Sequence, residues 1–167
     1  MKADLLYVPN LQFSKVSYIT VGIHGKALTE FQDFYNRMNI DPRDRRQRDE
    51  INRFIERMGK IYGAQDQFFK REGMAERLPP PDYRFIDSDG ETDFGLRLYC
   101  VKLNEELVVL LNGDRKTAQR IKDCPRCKPH YDLANRVSDA IYYAKRDGLI
   151  EIEGRDISVD DGFSLEF

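Results

Sequence analysis

The sequence predicts an α+β domain in which N-terminal helices pack on a small antiparallel β-sheet and a C-terminal helix follows the sheet. Three observations predict it. Apolar residues recur at helical spacing early in the chain, at Phe31, Phe34, Tyr35 and Met38 and again at Ile51, Phe54, Ile55 and Met58. They change to strand-like runs at Leu96, Leu98, Tyr99 and Val101 and at Leu107 to Leu111. Helical spacing returns at Leu133, Val137, Ala140, Ile141 and Ala144.

Taken in order, residues 1–12 carry no commitment to regular structure. Phe13 to Ile23 alternates in part, Val16, Tyr18 and Thr20 against Ser17, Ile19 and Val21, and reads as a first strand. Thr29 and Glu30 stand near the start of the first helix. Pro42 opens the second at its tolerated first position, with Asp41 as N-cap; this helix runs to about Tyr62 and Gly63 ends it. Ala64 to Arg71 reads as a short helical turn and Pro79-Pro80-Pro81 as extended chain. Tyr83 to Ile86 reads as a short strand and Asp87-Ser88-Asp89-Gly90 as a turn. A strand at 96–101, a turn at Asn104-Glu105-Glu106 and a buried strand at 107–111 come next, the last ending in a turn at Asn112-Gly113. The third helix begins near His130 and is capped by Gly148. Residues 149–152 and 157–159 read as a closing strand pair.

With 167 residues the chain is most simply one domain, residues 1–167. Its 34% charged residues and mean hydropathy of −0.63 predict a soluble protein. No apolar run approaches the roughly 20 residues that cross a bilayer, and the N-terminus has no leader pattern. The expectation is therefore a cytoplasmic protein without a membrane partner. Net charge is −2, but its distribution is uneven: Arg43 to Lys60 holds seven basic and four acidic residues, Asp114 to Lys128 six and two, and Glu151 onward one and six. Local fields of this kind can bind phosphate despite a negative total. No Walker loop, dinucleotide fingerprint or HExxH is present.

Arg97 inside one strand, with Arg115 and Lys116 just past the next, is the first chemical constellation. A turn at Asn112-Gly113 would aim Arg115 and Lys116 out of the sheet end beside Arg97. Cleaving RNA through its own 2′-hydroxyl needs a base, cationic stabilisation of the crowded phosphorane and a proton for the leaving 5′-oxygen. Clustered Arg and Lys supply the charge, and a Lys among cations loses proton affinity. On spacing alone the plainer reading, cations facing solvent, is the stronger.

A second constellation is Cys124-Pro-Arg-Cys127-Lys-Pro-His130. Cys124, Cys127 and His130 offer three zinc ligands and Cys100 a fourth, although a lone CxxC is more often unmetallated. The redox alternative wants the pair at a helix N-terminus after a strand; the pair does precede a helix, but Pro129 and the missing βαβ context count against it. The only histidines, His24 and His130, would act as acid and base if they met across a phosphate. The basic face of Arg43, Arg45, Arg46, Arg48, Arg53 and Arg57 reads as a salt-bridged helix because acidic residues are interleaved.

Leu-Arg-Leu-Tyr-Cys at 96–100 and the segment from Val108 to Thr117, with Tyr83-Arg84-Phe85 upstream, resemble RelE/HigB-like toxins of toxin–antitoxin pairs. The resemblance covers roughly residues 30–146. It implies two N-terminal helices before a curved antiparallel sheet. It also implies a metal-independent, cofactor-free endoribonuclease acting on ribosome-bound mRNA, with a cognate antitoxin as partner. By the resemblance Arg97 would bind the phosphate, and Arg115 or Lys116 would contact the phosphate or leaving group. Tyr131 would stack on a base or move a proton, and Arg84 is a looser match for the basic residues on the preceding strand; His130, beside Tyr131, is a further RNA-binding candidate from its position alone. The chain departs from the family in its net charge, in an insertion at 118–129, and in extensions at 1–25 and 149–167. A non-catalytic protein- or nucleic-acid-binding module of phage or mobile-element origin is the alternative.

Overall fold

A seven-stranded mixed sheet organises the chain, which corrects the expectation of a small antiparallel one. The computed structural model describes residues 1–88 and 92–167; the expected turn at Asp87–Gly90 lies partly outside the described residues, at Asp89 and Gly90. The described elements, in order, are β1 (Lys2–Gln12), β2 (Ser17–Ile23), α1 (Glu30–Arg37), α2 (Pro42–Arg57), β3 (Lys70–Glu72), β4 (Ala75–Leu78), β5 (Gly95–Asn104), β6 (Leu107–Lys116), α3 (Lys128–Arg146), β7 (Ile150–Glu153), β8 (Asp156–Val159) and β9 (Leu165–Glu166). A π-helical turn, Met58–Tyr62, prolongs α2. The sheet order is β3-β4-β5-β6-β2-β1-β9, while β7 and β8 form a separate hairpin. The last long helix is thus followed by strands, and β9 returns to pair with β1.

The sheet is mixed because β2 and β6 run parallel, Ser17 opposite Leu107 and Ile19 opposite Val109. Every other pairing in it is antiparallel. Helices cover both faces. Thr29 closes α1 in a capping box with Gln32, and the Asp41 side chain accepts from the Arg43 N–H ahead of Pro42. Phe31, Phe34, Ile51 and Ile55 from these helices meet Tyr18, Leu96, Leu98, Val108 and Leu110 on one face. Ala134, Val137, Ile141 and Ala144 of α3 meet Ile19, Val21, Tyr99, Val109 and Leu111 on the other. Central strands buried on both sides read as continuous apolar runs, which is what residues 107–111 show.

Four local expectations change. Residues 2–12 form the longest strand, which pairs from Ala3 opposite Ile23 to Tyr7 opposite Ile19. Its pattern was weak because it buries little and carries Pro9 and a left-handed Asn10 (φ 70°). The strand expected from Phe13 starts at Ser17, after a turn in which the Phe13 N–H donates to the Val16 carbonyl. Tyr83 to Phe85 is irregular, with Phe85 buried as a plug beneath α2; the strand in that part of the chain is β4, reached from β3 through Gly73 (φ 71°). Finally, Asn112-Gly113 is no turn. Both residues lie inside β6, where a Cβ at Gly113 would sit 1.7 Å from the Arg97 carbonyl oxygen. Among the described residues, no helix is long and apolar enough to cross a membrane.

Candidate anion site

One extra residue in β6 decides where its cations go. Leu98 pairs with Gly113 but Cys100 pairs with Leu110, so Tyr99 alone opposes Leu111 and Asn112. Such a bulge reverses the alternation of every side chain beyond it. Gly95 then faces Lys116, Leu96 faces Arg115 and Arg97 faces Asp114. Cross-strand partners share a face. Leu96 belongs to the core under α1 and α2, and Tyr99 to the core under α3. Arg115 therefore lies on the α2 side, while Arg97 and Lys116 lie together on the α3 side.

The contacts agree. The Arg115 guanidinium grips Asp44 of α2 through Nε at 3.1 Å and through Nη2, and reaches Asp93 at 2.9 Å. Burial alone would weaken its proton affinity, but these two carboxylates outweigh it and raise the pKa. Arg115 is a structural tie between helix and sheet. The expected convergence of Arg97, Arg115 and Lys116 is thus replaced by a pair, Arg97 with Lys116.

That pair has a third member the sequence reading missed. Arg77 on β4 lies opposite Tyr99 and is only 4% exposed; Arg97 and Lys116 are each 8% exposed. Arg77 donates to the Pro79 carbonyl at 2.6 Å, and its Nε stands 3.5 Å from Glu72. Arg97 donates through Nη1 to the Phe94 and Leu96 carbonyls at 2.9 and 3.1 Å, and among the described residues its buried Nε has no partner. The Lys116 ammonium stands 5.4 Å from the centre of the Phe94 ring. Beside them stands the fully buried Tyr99 hydroxyl, next to the Cys127 thiol.

Three cations thus share one face, with Glu72 as the paired carboxylate. Burial, and then the charge of Arg77, pulls Arg97 down to about 10. Burial and then Arg97 lower Lys116, and burial lowers Arg77. Mutual repulsion among buried cations costs stability unless an anion offsets it. The glycine at 73, ahead of the partly alternating Ala75-Glu76-Arg77, is the one local signal that could have pointed to a hairpin carrying Arg77. Tyr131, in the first turn of α3, packs edge-on against Tyr99 with centroids 6.1 Å apart, which brings it to the same face.

Comparison with protein-family models, curated proteins and solved structures returns no match.

The other expected residues lie elsewhere. Arg84 is exposed on the irregular segment, beside the Phe85 plug on the α2 face. His130 lines a cavity of about 400 Å³ with Glu30, Asp33, Asn112, Asp132 and Arg136. Burial and then Arg37 lower its pKa, opposed by Asp114, Glu30 and Asp33. His24 pairs with Asp4 at 3.1 Å in a different cavity, so the two histidines do not face one phosphate. Cys124 and Cys127 direct their thiols to carbonyls of β6. Cys100 is buried in the core of the opposite face. Among the described residues no group of three or more His, Cys, Asp or Glu is placed to hold a metal ion, which withdraws Cys124, Cys127 and His130 as a ligand set. The α2 cations serve local contacts: Arg43 and Arg46 bind the Asp87 region, and Arg48 stacks on Tyr35 at 3.9 Å.

Proposed function

We propose that Arg77, Arg97 and Lys116 bind a backbone phosphate of RNA, and that the chain is the toxin of a toxin–antitoxin pair, a metal-independent endoribonuclease. The observation that carries the phosphate site is a surplus of buried cations, with an unpartnered Arg97 Nε, on one face of the sheet. The resemblance of residues 96–100 and 108–117 to RelE/HigB-like toxins supplies the substrate, ribosome-bound mRNA, the antitoxin as partner and a cytoplasmic setting.

In this reading Arg77 and Arg97 stabilise the charge that develops on the phosphorane. Lys116, with its lowered proton affinity, takes the 2′-hydroxyl proton or returns one to the leaving 5′-oxygen. Tyr131 stacks on a neighbouring base. Because the three cations are more than nine-tenths covered, this reading requires their cover to open before RNA reaches them. Arg115 takes no part in this chemistry.

The test pairs induced expression with cleavage of RNA by purified protein in chelator. Growth arrest and cleavage that vanish in Arg97→Met and Lys116→Met, but persist in Arg84→Ala, support the enzyme. RNA binding without cleavage or arrest supports instead a non-catalytic binding module, the reading favoured by the net charge of −2 and the acidic segment from Glu151 onward. Neither binding nor cleavage in the folded wild type overturns both.

A further inference from the structure

The two cysteines ahead of α3 have a geometry the ribonuclease reading does not use. Cys124-Pro-Arg-Cys127 leads straight into this 19-residue helix, and Cys127 occupies its N-cap with no side-chain capping bond. The Lys128 N–H donates to the Cys124 carbonyl at 3.0 Å, closing a helical turn across the pair. Residues three apart in such a turn bring their Cβ atoms within roughly 5–6 Å. A modest adjustment then reaches disulfide geometry. Cys127 Sγ donates to the Asp114 carbonyl at 3.4 Å, and Cys124 Sγ to that of the next residue, Arg115, at 3.8 Å. The Thr117 hydroxyl lies 3.8 Å from Cys124 Sγ. Pro129, which counted against a redox pair in the sequence, sits in the first turn of α3, where no N–H is required of it.

We propose that Cys124 and Cys127 form a reversible dithiol–disulfide couple, in which Cys124 is the entering nucleophile and Cys127 the resolving thiol. The asymmetry between them has a structural basis. Both thiols are buried and both have exposed chain neighbours, but Cys124 is the more thinly covered, on the outer side of the turn, whereas Cys127 lies deeper, beside Tyr99 and the cation cluster; a local opening of the 123–126 turn therefore exposes Cys124 first. Burial opposes ionisation of Cys124, but contacts from Thr117 and Cys127 outweigh it and lower its pKa. Burial and then the Cys124 charge push Cys127 up to about 12. Cys100, enclosed within the other core, is an internal control.

The oxidant is a small-molecule disulfide. The Cys124 thiolate attacks one of its sulfurs, the S–S bond breaks and one thiolate leaves. The Cys127 thiol then gives its proton to solvent and attacks the Cys124 sulfur, expelling the second thiolate. Two electrons pass from the protein to the small molecule, which departs as two thiols.

The experiment uses the full chain with oxidised glutathione, acid quenching, intact-mass measurement and peptide mapping. Wild type is expected to lose two hydrogens, with the bond mapped to Cys124–Cys127. Cys127→Ser should accumulate a single glutathione adduct on Cys124, and Cys124→Ser none on Cys127 over the same interval. Alkylation of the unmutated chain by iodoacetamide gives a readout free of folding defects: Cys124 should react at least about tenfold faster than Cys127 or Cys100. No mass loss from the folded chain, while the urea-unfolded chain oxidises, would overturn the proposal. So would alkylation of Cys127 or Cys100 as fast as Cys124. Neither result bears on RNA cleavage, so the two readings fail separately.

Discussion

Replacing Arg97 by Met should raise the stability of the ligand-free chain while abolishing its response to phosphate. Each tenfold loss of proton affinity is about 1.4 kcal/mol, so holding this guanidinium at about 10 costs the folded chain about 3 kcal/mol at neutral pH. The penalty is at full strength below that value. Between about 10 and the ordinary guanidinium pKa the unfolded chain holds more protons than the folded one, so stability rises with pH across that window. Met removes the charge but also the two bonds to Phe94 and Leu96, at about 1 kcal/mol each. The balance is a gain of about 1 kcal/mol, or roughly 2–4 °C in Tm for a chain of this size.

Thermal melts followed by circular dichroism in phosphate-free buffer read this directly. Inorganic phosphate is then added at matched ionic strength. Wild type should gain about 2.7 kcal/mol when phosphate reaches a hundredfold excess over its Kd, and Arg97→Met should gain nothing specific. A variant that melts well below wild type without phosphate would show that the guanidinium stabilises the fold. One that keeps the full phosphate response would refute the site.

Three further outcomes follow from neighbouring residues. Arg115→Gln should lose about 2–3 kcal/mol, because it leaves Asp44 and Asp93 without this buried guanidinium, yet keep the wild-type phosphate response; loss of that response would place Arg115 in the site. Gly113→Ala should lose at least about 3 kcal/mol in a urea titration, because its Cβ would collide with the Arg97 carbonyl and force β5 from β6; a change under about 1 kcal/mol would contradict that pairing. Asn112→Ala should cost about 2–3 kcal/mol at neutral pH, since its amide donates to both Glu30 and Asp33 at 2.8 Å. Burial would raise the Asp33 pKa, but bonds from Asn112 and Arg37 outweigh it and hold the carboxyl below its ordinary value. That contribution is lost as pH falls through about 4 and below, so the gap between variant and wild type should narrow at pH about 3. An unchanged gap would exclude this account.

The helices were legible because their signals are local. Thr29, Asp41-Pro42 and Gly148 mark ends, and three apolar faces have the helical period. The β5–β6 hairpin was legible for the same reason, as two apolar runs around Asn104-Glu105-Glu106. Sheet order was not, because periodicity says which side chains are buried and nothing about which edges pair. The parallel contact of β2 with β6 joins residues about ninety apart in the chain, and no turn signal records it. β1 and β3 were hidden because they are polar, weakly buried strands held mainly by backbone pairing, and β4 because Glu76 and Arg77 interrupt a short buried run.

The site fails in the sequence for a sharper reason. Arg97 and Lys116 could be nominated from their place beside apolar runs, but their grouping with Arg115 assumed a turn at Asn112-Gly113. β6 instead passes through these residues, and strand parity then becomes decisive. Counting by twos from Leu111, which packs under α3, would put Arg115 on the α3 face and Lys116 under α2. The bulge opposite Tyr99 inverts that count. It delivers Arg115 to Asp44 and Asp93, two carboxylates for one cation, and Lys116 to Arg77 and Arg97, where among the described residues Glu72 is the carboxylate paired with the group. Arg115 and Lys116, adjacent in sequence, thus acquire opposite roles from one inserted residue: the first ties α2 to the sheet, and the second completes a set of three buried cations that shares Glu72 among the described residues.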